Sequence, residues 1–523
     1  MQRINVTIVG AGAMGQLLSS LIALSPRVLT HGGYVVNQIE IVSRRPDFVT
    51  QMNRQGGAWF LEPSPPTAFA KPVKNWIRSR GLVPMANCLP GGSESDQWGA
   101  TRPMFLAGIE YRHSDLSARD WLHSAREVEK LTTSCTGGTT HVVFIITKGK
   151  QTLQEAALFS SELLYGSGEF PGRLRPHDKS AVVCLMNGAG HDEDIRHALE
   201  QARSRREDLR QITEPTSVII GTTALSGITT EVTCQPLGGI GSSPRSVMAL
   251  DWTGWGETVL VADEKDSWER SLDEPVRGSP SHATWKLIQH ALAIDPDSTP
   301  HECIAPLRVA PASERAAVVW TKLAANVVIN QLTAILDVPN GSLLPWLDKV
   351  IDLCNSDASY FWQTWDPSSL TVESLRRAMH GEASLAGDSQ VLELALIGLS
   401  RELAYAILYD PVGLQIEPDS GQVDVKSPQH NKGRPSEEDL RQGALGILRK
   451  ARAIAAATSL NISSMLSDVR RYRKHVCKSG QTPREVTENS YIGEYAAKRV
   501  LEVADGVTDG ATLRKIAELV STL

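Results

Sequence analysis

Between Trp320 and Leu344 the chain reads W-T-K-L-A-A-N-V-V-I-N-Q-L-T-A-I-L-D-V-P-N-G-S-L-L. As a helix, this stretch places Lys322, Asn326 and Asn330 at i, i+4 and i+8. At about 100° per residue these three drift only about 80° around the axis. One amine and two amides therefore share a narrow polar stripe on a segment otherwise rich in Leu, Ala, Val and Ile. A surface helix carries the reverse pattern, a broad polar face and a narrower apolar one. This helix is expected to be buried nearly all round, with the stripe facing a cavity or a partner. A lysine with no carboxylate one turn away, in that setting, is a candidate acid or base with a lowered pKa. The same pattern also fits a lysine that snorkels beside two hydrogen-bonded core amides. Pro339-Asn340-Gly341 reads as the turn that ends the helix.

The second chemical feature lies at the N-terminus. Ile4 to Val9 is a β-branched run, followed at once by Gly10-Ala11-Gly12-Ala13-Met14-Gly15 and an apolar helix from Gln16 to Leu24. Strand, G-x-G-x-x-G and helix in that order form a dinucleotide-binding turn. The first glycine permits the turn, the second lets a pyrophosphate approach the backbone, and the third lets helix and strand pack closely. The helix N-terminus then faces the phosphates. The next strand, Gln38 to Val42, ends in Ser43-Arg44-Arg45. An acid at that strand end would accept from the ribose hydroxyls of NAD, whereas Arg44 suits the 2′-phosphate of NADP. A basic loop with no ligand is the plain alternative.

These residues need a sheet to carry them. His141 to Thr147 and Ala181 to Met186 read as buried parallel strands, followed by Lys148 and by Asn187-Gly188-Ala189-Gly190. Polar groups at such strand ends are where open α/β sheets bind ligands. Ser217 to Gly221 repeats the pattern, and Met248 to Leu250 and Thr258 to Ala262 read as two later strands. Residues 60–138 show no sustained periodicity and read as an insertion, helical near Leu116 to Leu131. The acids after His191 read as a helix N-terminus and not as a metal site. Beyond about residue 314 strand signals give way to helical ones, at 314–337, 343–352, 370–379, 390–408, 436–458 and 488–504. Asp410 to Pro435 reads as a disordered loop. The expected architecture is an α/β Rossmann-type N-terminal domain with a parallel sheet (1–313) and an all-α C-terminal domain (314–523). A small substrate would sit in the cleft between them.

Composition sets outer bounds. With 523 residues, 41% hydrophobic and 21% charged, the chain is an ordinary globular protein of more than one domain. A net charge of −6 gives no reason to expect nucleic acid or anionic membrane as partner. No uninterrupted apolar run reaches the roughly 18 residues of a membrane span. Seven scattered cysteines without a C-x-x-C pair suit reduced thiols in a cytoplasmic protein. A homodimer is left open.

Seven blocks in order resemble the ketopantoate reductases (2-dehydropantoate 2-reductases). They are G-A-G-A-M-G at 10–15, T-K-G-K-Q at 147–151, N-G-A-G at 187–190, G-T-T at 221–223, W-T-K-L-A-A-N-V-V-I-N-Q-L-T-A at 320–334, N-I-S-S-M-L-S-D-V at 461–469 and T-E-N-S-Y-I-G-E-Y at 487–495. The resemblance implies that NADPH reduces the ketone of a 2-keto acid, with Lys322 donating a proton to the developing alkoxide. Asn326 and Asn330 would bind the substrate, Ser464 its carboxylate, and Glu488 would lie near the reacting centre and orient the lysine. Lys148 and Asn187 would flank the nicotinamide, and Asn187 also the substrate; Arg44 would bind the 2′-phosphate. Without that pairing Glu488 is simply an acid near a helix N-terminus.

The chain also departs from the family. It is roughly 200 residues longer than a common member, with insertions expected around 60–138, 262–300, 409–435 and 470–486. Ala224-Leu225-Ser226 follow G-T-T, and Asn489, Gly493 and Glu494 replace the usual residues of the last block. Cofactor and reaction type therefore follow more closely from the resemblance than substrate does.

Overall fold

The structure, a computed structural model, describes residues 1–26, 28–29, 33–65, 67–90, 102–114, 138–147, 150–167, 170–175, 177–185, 191–206, 214–236, 245–264, 266, 268–269, 274–295, 302–363, 365–380, 390–409, 436–459 and 511–521. They fall into two compact units, with the change from one to the other between Arg315 and Ala316. Among the site residues anticipated from the sequence, Lys148, Asn187, Ser464 and Glu488 lie outside the described residues, as do the segments 116–131 and 488–504 and the loop at 410–435.

Unit 1 opens with β1 (Gln2–Val9), α1 (Ala13–Ala23), β2 (Tyr34–Ser43), α2 (Pro46–Arg54), β3 (Ala58–Leu61) and α3 (Thr67–Ser79). It continues with β4 (Ala86–Pro90), β5 (Arg102–Ala107), β6 (Glu110–His113), β7 (Thr139–Ile145), α4 (Lys150–Tyr165) and β8 (Lys179–Cys184). It closes with α5 (His191–Ser204), β9 (Ser217–Pro236), β10 (Arg245–Val261), α6 (Pro280–Leu292) and β11 (Leu307–Ala310). Six of these strands run parallel in the spatial order β6–β2–β1–β7–β8–β9. In chain order that is 3-2-1-4-5-6, the doubly wound arrangement that reverses direction between its first and fourth strands. The inner residues of β1, β7 and β8 are almost continuously buried, as expected of strands covered by helices on both faces.

The third strand of that sheet, β6, lies inside the region expected to be an insertion without sustained periodicity, where no strand was anticipated. The expectation fails there for a physical reason. β6 is only four residues long and takes its stability from in-register pairing of Glu110–His113 with Glu40–Ser43, not from its own pattern. Other described parts of the region are also structured. β3, β5 and β4 join the outer halves of β9 and β10 in a closed ring of five strands. β10 is a single strand, not two. Irregular register between Thr223 and Leu225 and between Ser226 and Gly227 lets the long β9–β10 ribbon bend without breaking. Within the segment 262–300, α6 buries Ala283, Leu287, Ile288, Ala291 and Leu292 in the main core.

Unit 2 is helical among its described residues. α7 (Arg315–Leu336) starts at the unit boundary and is followed by α8 (Leu344–Ser356), α9 (Val372–His380), α10 (Val391–Tyr409), α11 (Glu437–Ala457) and α12 (Ala511–Ser521). By length and hydropathy the stretch Ala312–Leu336 could cross a membrane, but 89% of its apolar window is buried inside the protein, so it is a core helix. The helix stops earlier than the Pro339-Asn340-Gly341 turn. Asp337 takes the left-handed conformation (φ 59°), and Val338 N–H donates to Thr333 O at 3.2 Å. This six-residue closure ends a helix by itself, and Pro339-Asn340-Gly341 then leads into a 3-10 turn at Asn340–Leu343.

One side chain of α10 caps the start of α12. Glu402 is buried, and its two carboxylate oxygens accept from Thr512 N–H (3.0 Å) and Leu513 N–H (2.9 Å). A carboxylate thus takes up two orphan donors at the start of the last helix.

Candidate active site

Val9 pairs with Val42 on one side and Ile145 on the other. Just past it the backbone turns at Gly10, whose φ of 117° is left-handed and suits glycine. Gly10 N–H donates to Val42 O at 3.1 Å, and Ile146 N–H donates to Val9 O at 2.9 Å. The turn is therefore tied to the strand ends at the reversal point of the sheet, where such folds bind ligands. A side chain on Gly10 would put its Cβ 2.2 Å from Ile146 O, and one on Gly15 would stand 1.9 Å from Gly10 O. A Cβ on Gly12 would meet nothing within 4 Å. So the first glycine makes the turn, the last lets α1 close on it, and the middle one leaves open space over the backbone.

α1 begins at Ala13 with Gly12 as N-cap, has no side-chain cap and carries no acid in its first turn. Ala11 is buried, while Ala13 and Met14 are half-buried. Backbone N–H groups and the positive end of the helix are left to meet an anion. Gln16, fully buried, donates its Nε2 to Ala11 O at 3.0 Å and stiffens the turn from beneath. These features fit the pyrophosphate of a dinucleotide.

Arg44 lies two residues beyond Val42, at the same end of the sheet as the turn. Its Nη1 is 2.7 Å from Glu155 Oε2 of α4, and both side chains are partly exposed. The next residue, Arg45, lies with its guanidinium 4.6 Å from the Phe48 ring centroid. β2 does contain an acid, Glu40, but it lies within the strand and is fully buried. Arg173 Nη1 donates to it at 2.5 Å and Thr7 Oγ1 at 2.6 Å. It is committed to the interior of unit 1, and the strand end itself presents arginine.

In unit 2, residues 322–329 are buried without a break, so the middle of α7 is covered on all sides. Lys322 is 8% exposed and Asn326 7%, while Asn330 is half-buried. An amine and two amides thus line one helix face at a depth where ionisable groups are seldom found without a reason. One helix brings these three together; one sheet end brings Gly10–Gly15 and Arg44 together.

Two further features had no clear sequence signal. Glu155 is one polar position among several on α4, and only the tertiary fold pairs it with Arg44. Asp192, in the first turn of α5, holds Arg315 Nη1 at 2.5 Å within unit 1. Its place at a helix start was legible; its partner 123 residues away was not. Among the described residues there is no cluster of His, Cys, Asp and Glu able to hold a metal ion.

Comparison with known proteins gives a mixed result. No protein-family model matches the chain, and no curated protein matches its sequence. Among solved structures it is similar to one described as a probable 2-dehydropantoate 2-reductase from Bacillus subtilis, at 16% identity and TM-score 0.42 over 99% of both chains. It is also similar to D-mandelate dehydrogenase, solved with NADH and anilino(oxo)acetate, at 12% identity and TM-score 0.41 over 99% of this chain and 97% of that one. A 2-dehydropantoate 2-reductase from Geobacter metallireducens matches at 10% identity and TM-score 0.38 over 99% of both. Similarity this distant leaves the fold to be read from the chain's own strand order and glycine turn, which establish a Rossmann-type unit followed by a helical one.

Proposed function

We propose that this chain is an NADPH-dependent 2-keto acid reductase of the ketopantoate reductase family, converting 2-dehydropantoate to pantoate in the cytoplasm, for pantothenate synthesis. The observation that carries this reading is the glycine turn at the sheet's reversal point, in a chain that also buries Lys322 beside Asn326. Gly12 and the uncapped start of α1 would hold the pyrophosphate, and Arg44 the 2′-phosphate.

When bound, the reduced nicotinamide supplies a hydride to the substrate's ketone carbon. The protein's part is to bind, orient and protonate. Lys322 Nζ hydrogen-bonds the ketone oxygen, polarises it, and gives up a proton as that oxygen becomes an alkoxide. Asn326 and Asn330, one and two turns further along α7, hold the substrate's polar groups so that the ketone stays against the amine. Ser464 grips the carboxylate, and Glu488 orients the lysine. A proton donor is what separates this reading from that of a protein that only binds the dinucleotide.

The test is NADPH oxidation by purified full-length protein, with 2-dehydropantoate and a panel of other 2-keto acids. Turnover of 2-dehydropantoate supports the proposal. Turnover confined to other keto acids keeps the reaction type and replaces the substrate, and cofactor binding without any turnover sinks the enzyme reading.

A further inference from the structure

We propose that Glu155 tunes the preference for NADPH over NADH, by holding the Arg44 guanidinium that the 2′-phosphate has to take over. This rests on the dinucleotide reading above. The Arg44 Nη1–Glu155 Oε2 distance of 2.7 Å is that of a charge-assisted hydrogen bond. The two residues come from different parts of the sheet's C-terminal end, Arg44 just beyond β2 and Glu155 on the helix after β7. Among the described residues near this strand end, Arg45 lies over the Phe48 ring, Arg112 pairs with Glu110 and Glu40 is held by Arg173.

A guanidinium presents its donors as a planar fork that suits a carboxylate or a phosphate equally well. A 2′-phosphate approaching Arg44 meets a carboxylate already on one arm of that fork. It must displace Glu155 and then remain close to its negative charge. The side chains are 48% and 37% exposed, so the pair is screened by water and weak. Glu155 therefore adjusts selectivity without blocking the phosphate. NADH brings a neutral ribose hydroxyl to the same place. It leaves the pair intact and can donate a hydrogen bond to Glu155. One carboxylate thus weakens NADPH and tolerates NADH.

Fluorescence titration of the full-length protein with NADPH and with NADH tests this, using wild type, Glu155→Gln, Arg44→Ala and the double variant. Glu155→Gln is expected to tighten NADPH about three- to tenfold, the scale of one exposed ion pair plus its charge repulsion. NADH should stay within about twofold or weaken, and the gain for NADPH should shrink in the double variant, where no fork remains to be released. If Glu155→Gln leaves NADPH unchanged or weakens it, while Arg44→Ala still weakens NADPH selectively, the role given to Glu155 is wrong and the dinucleotide reading stands. If Arg44→Ala weakens both cofactors equally, the 2′-phosphate assignment falls and takes the role of Glu155 with it.

Discussion

A carbon added at Gly15 would stand 1.9 Å from the carbonyl oxygen of Gly10, whereas one added at Gly12 has no neighbour within 4 Å. Two glycines of one motif should therefore fail differently. Gly15→Ala forces backbone apart and is expected to lower stability by about 1–3 kcal/mol or more. Gly12→Ala should leave stability nearly unchanged and weaken NADPH at least about tenfold, since its methyl group occupies the space a pyrophosphate needs. Urea unfolding beside cofactor titration separates the two, and equal destabilisation by both would contradict the contact geometry. Lys322→Ala, by contrast, is expected to lower kcat at least about 100-fold while NADPH binding barely changes, the loss of one positioned acid. Stopped-flow reduction of the keto acid would show it, and a fully active alanine variant would rule out the donor.

At the scale of elements, α12 depends on a carboxylate from α10. Glu402 accepts two adjacent backbone N–H groups, one on each oxygen, an arrangement an amide cannot reproduce because one of its two terminal atoms is a donor. Glu402→Gln should therefore leave a buried N–H unmatched, at a cost of about 1–3 kcal/mol. Faster hydrogen exchange confined to 511–521 would locate the loss, and unchanged protection there would show that α12 is held by packing alone. The helices α7 to α11 stand close to where their apolar periodicity puts them, because 3.6-residue spacing is written within each segment, whereas α12 was not anticipated. α7 illustrates the limit of that rule. Its body is legible, but its last residue is set by the left-handed backbone of Asp337, a residue type that takes this conformation without announcing it.

Across unit 1 as a whole, β2 and α6 meet through a pair 248 residues apart, Tyr34 OH and His282 Nδ1 at 3.0 Å. Burial pushes the His282 pKa down to about 4, helped by the positive charges of Lys286 and Arg277. A neutral ring accepts the tyrosine hydroxyl; a protonated one cannot. Because the folded pKa lies below the unfolded one, this contribution to stability is fully present above about pH 6.5 and is lost as pH falls towards about 4. Unfolding midpoints measured from pH 7 down to pH 4.5 should fall for wild type and fall less for His282→Gln. Parallel slopes would remove His282 from the acid response.

The sequence by itself determined what depends on neighbours along the chain. The strand, glycine turn and helix at 4–24, the arginines after β2, the Lys322–Asn326–Asn330 stripe and the change from mixed to helical structure are all local patterns. Tertiary structure decided what depends on residues far apart. It recruited the four residues of β6 as the third parallel strand, closed a ring from β3, β4 and β5, turned Glu40 inward to Arg173 and set Glu155 against Arg44. The difference is physical. A helix face or a glycine turn fixes its geometry within a few residues, but a short strand or an ion pair gains its free energy only from a partner that the fold must first bring to it.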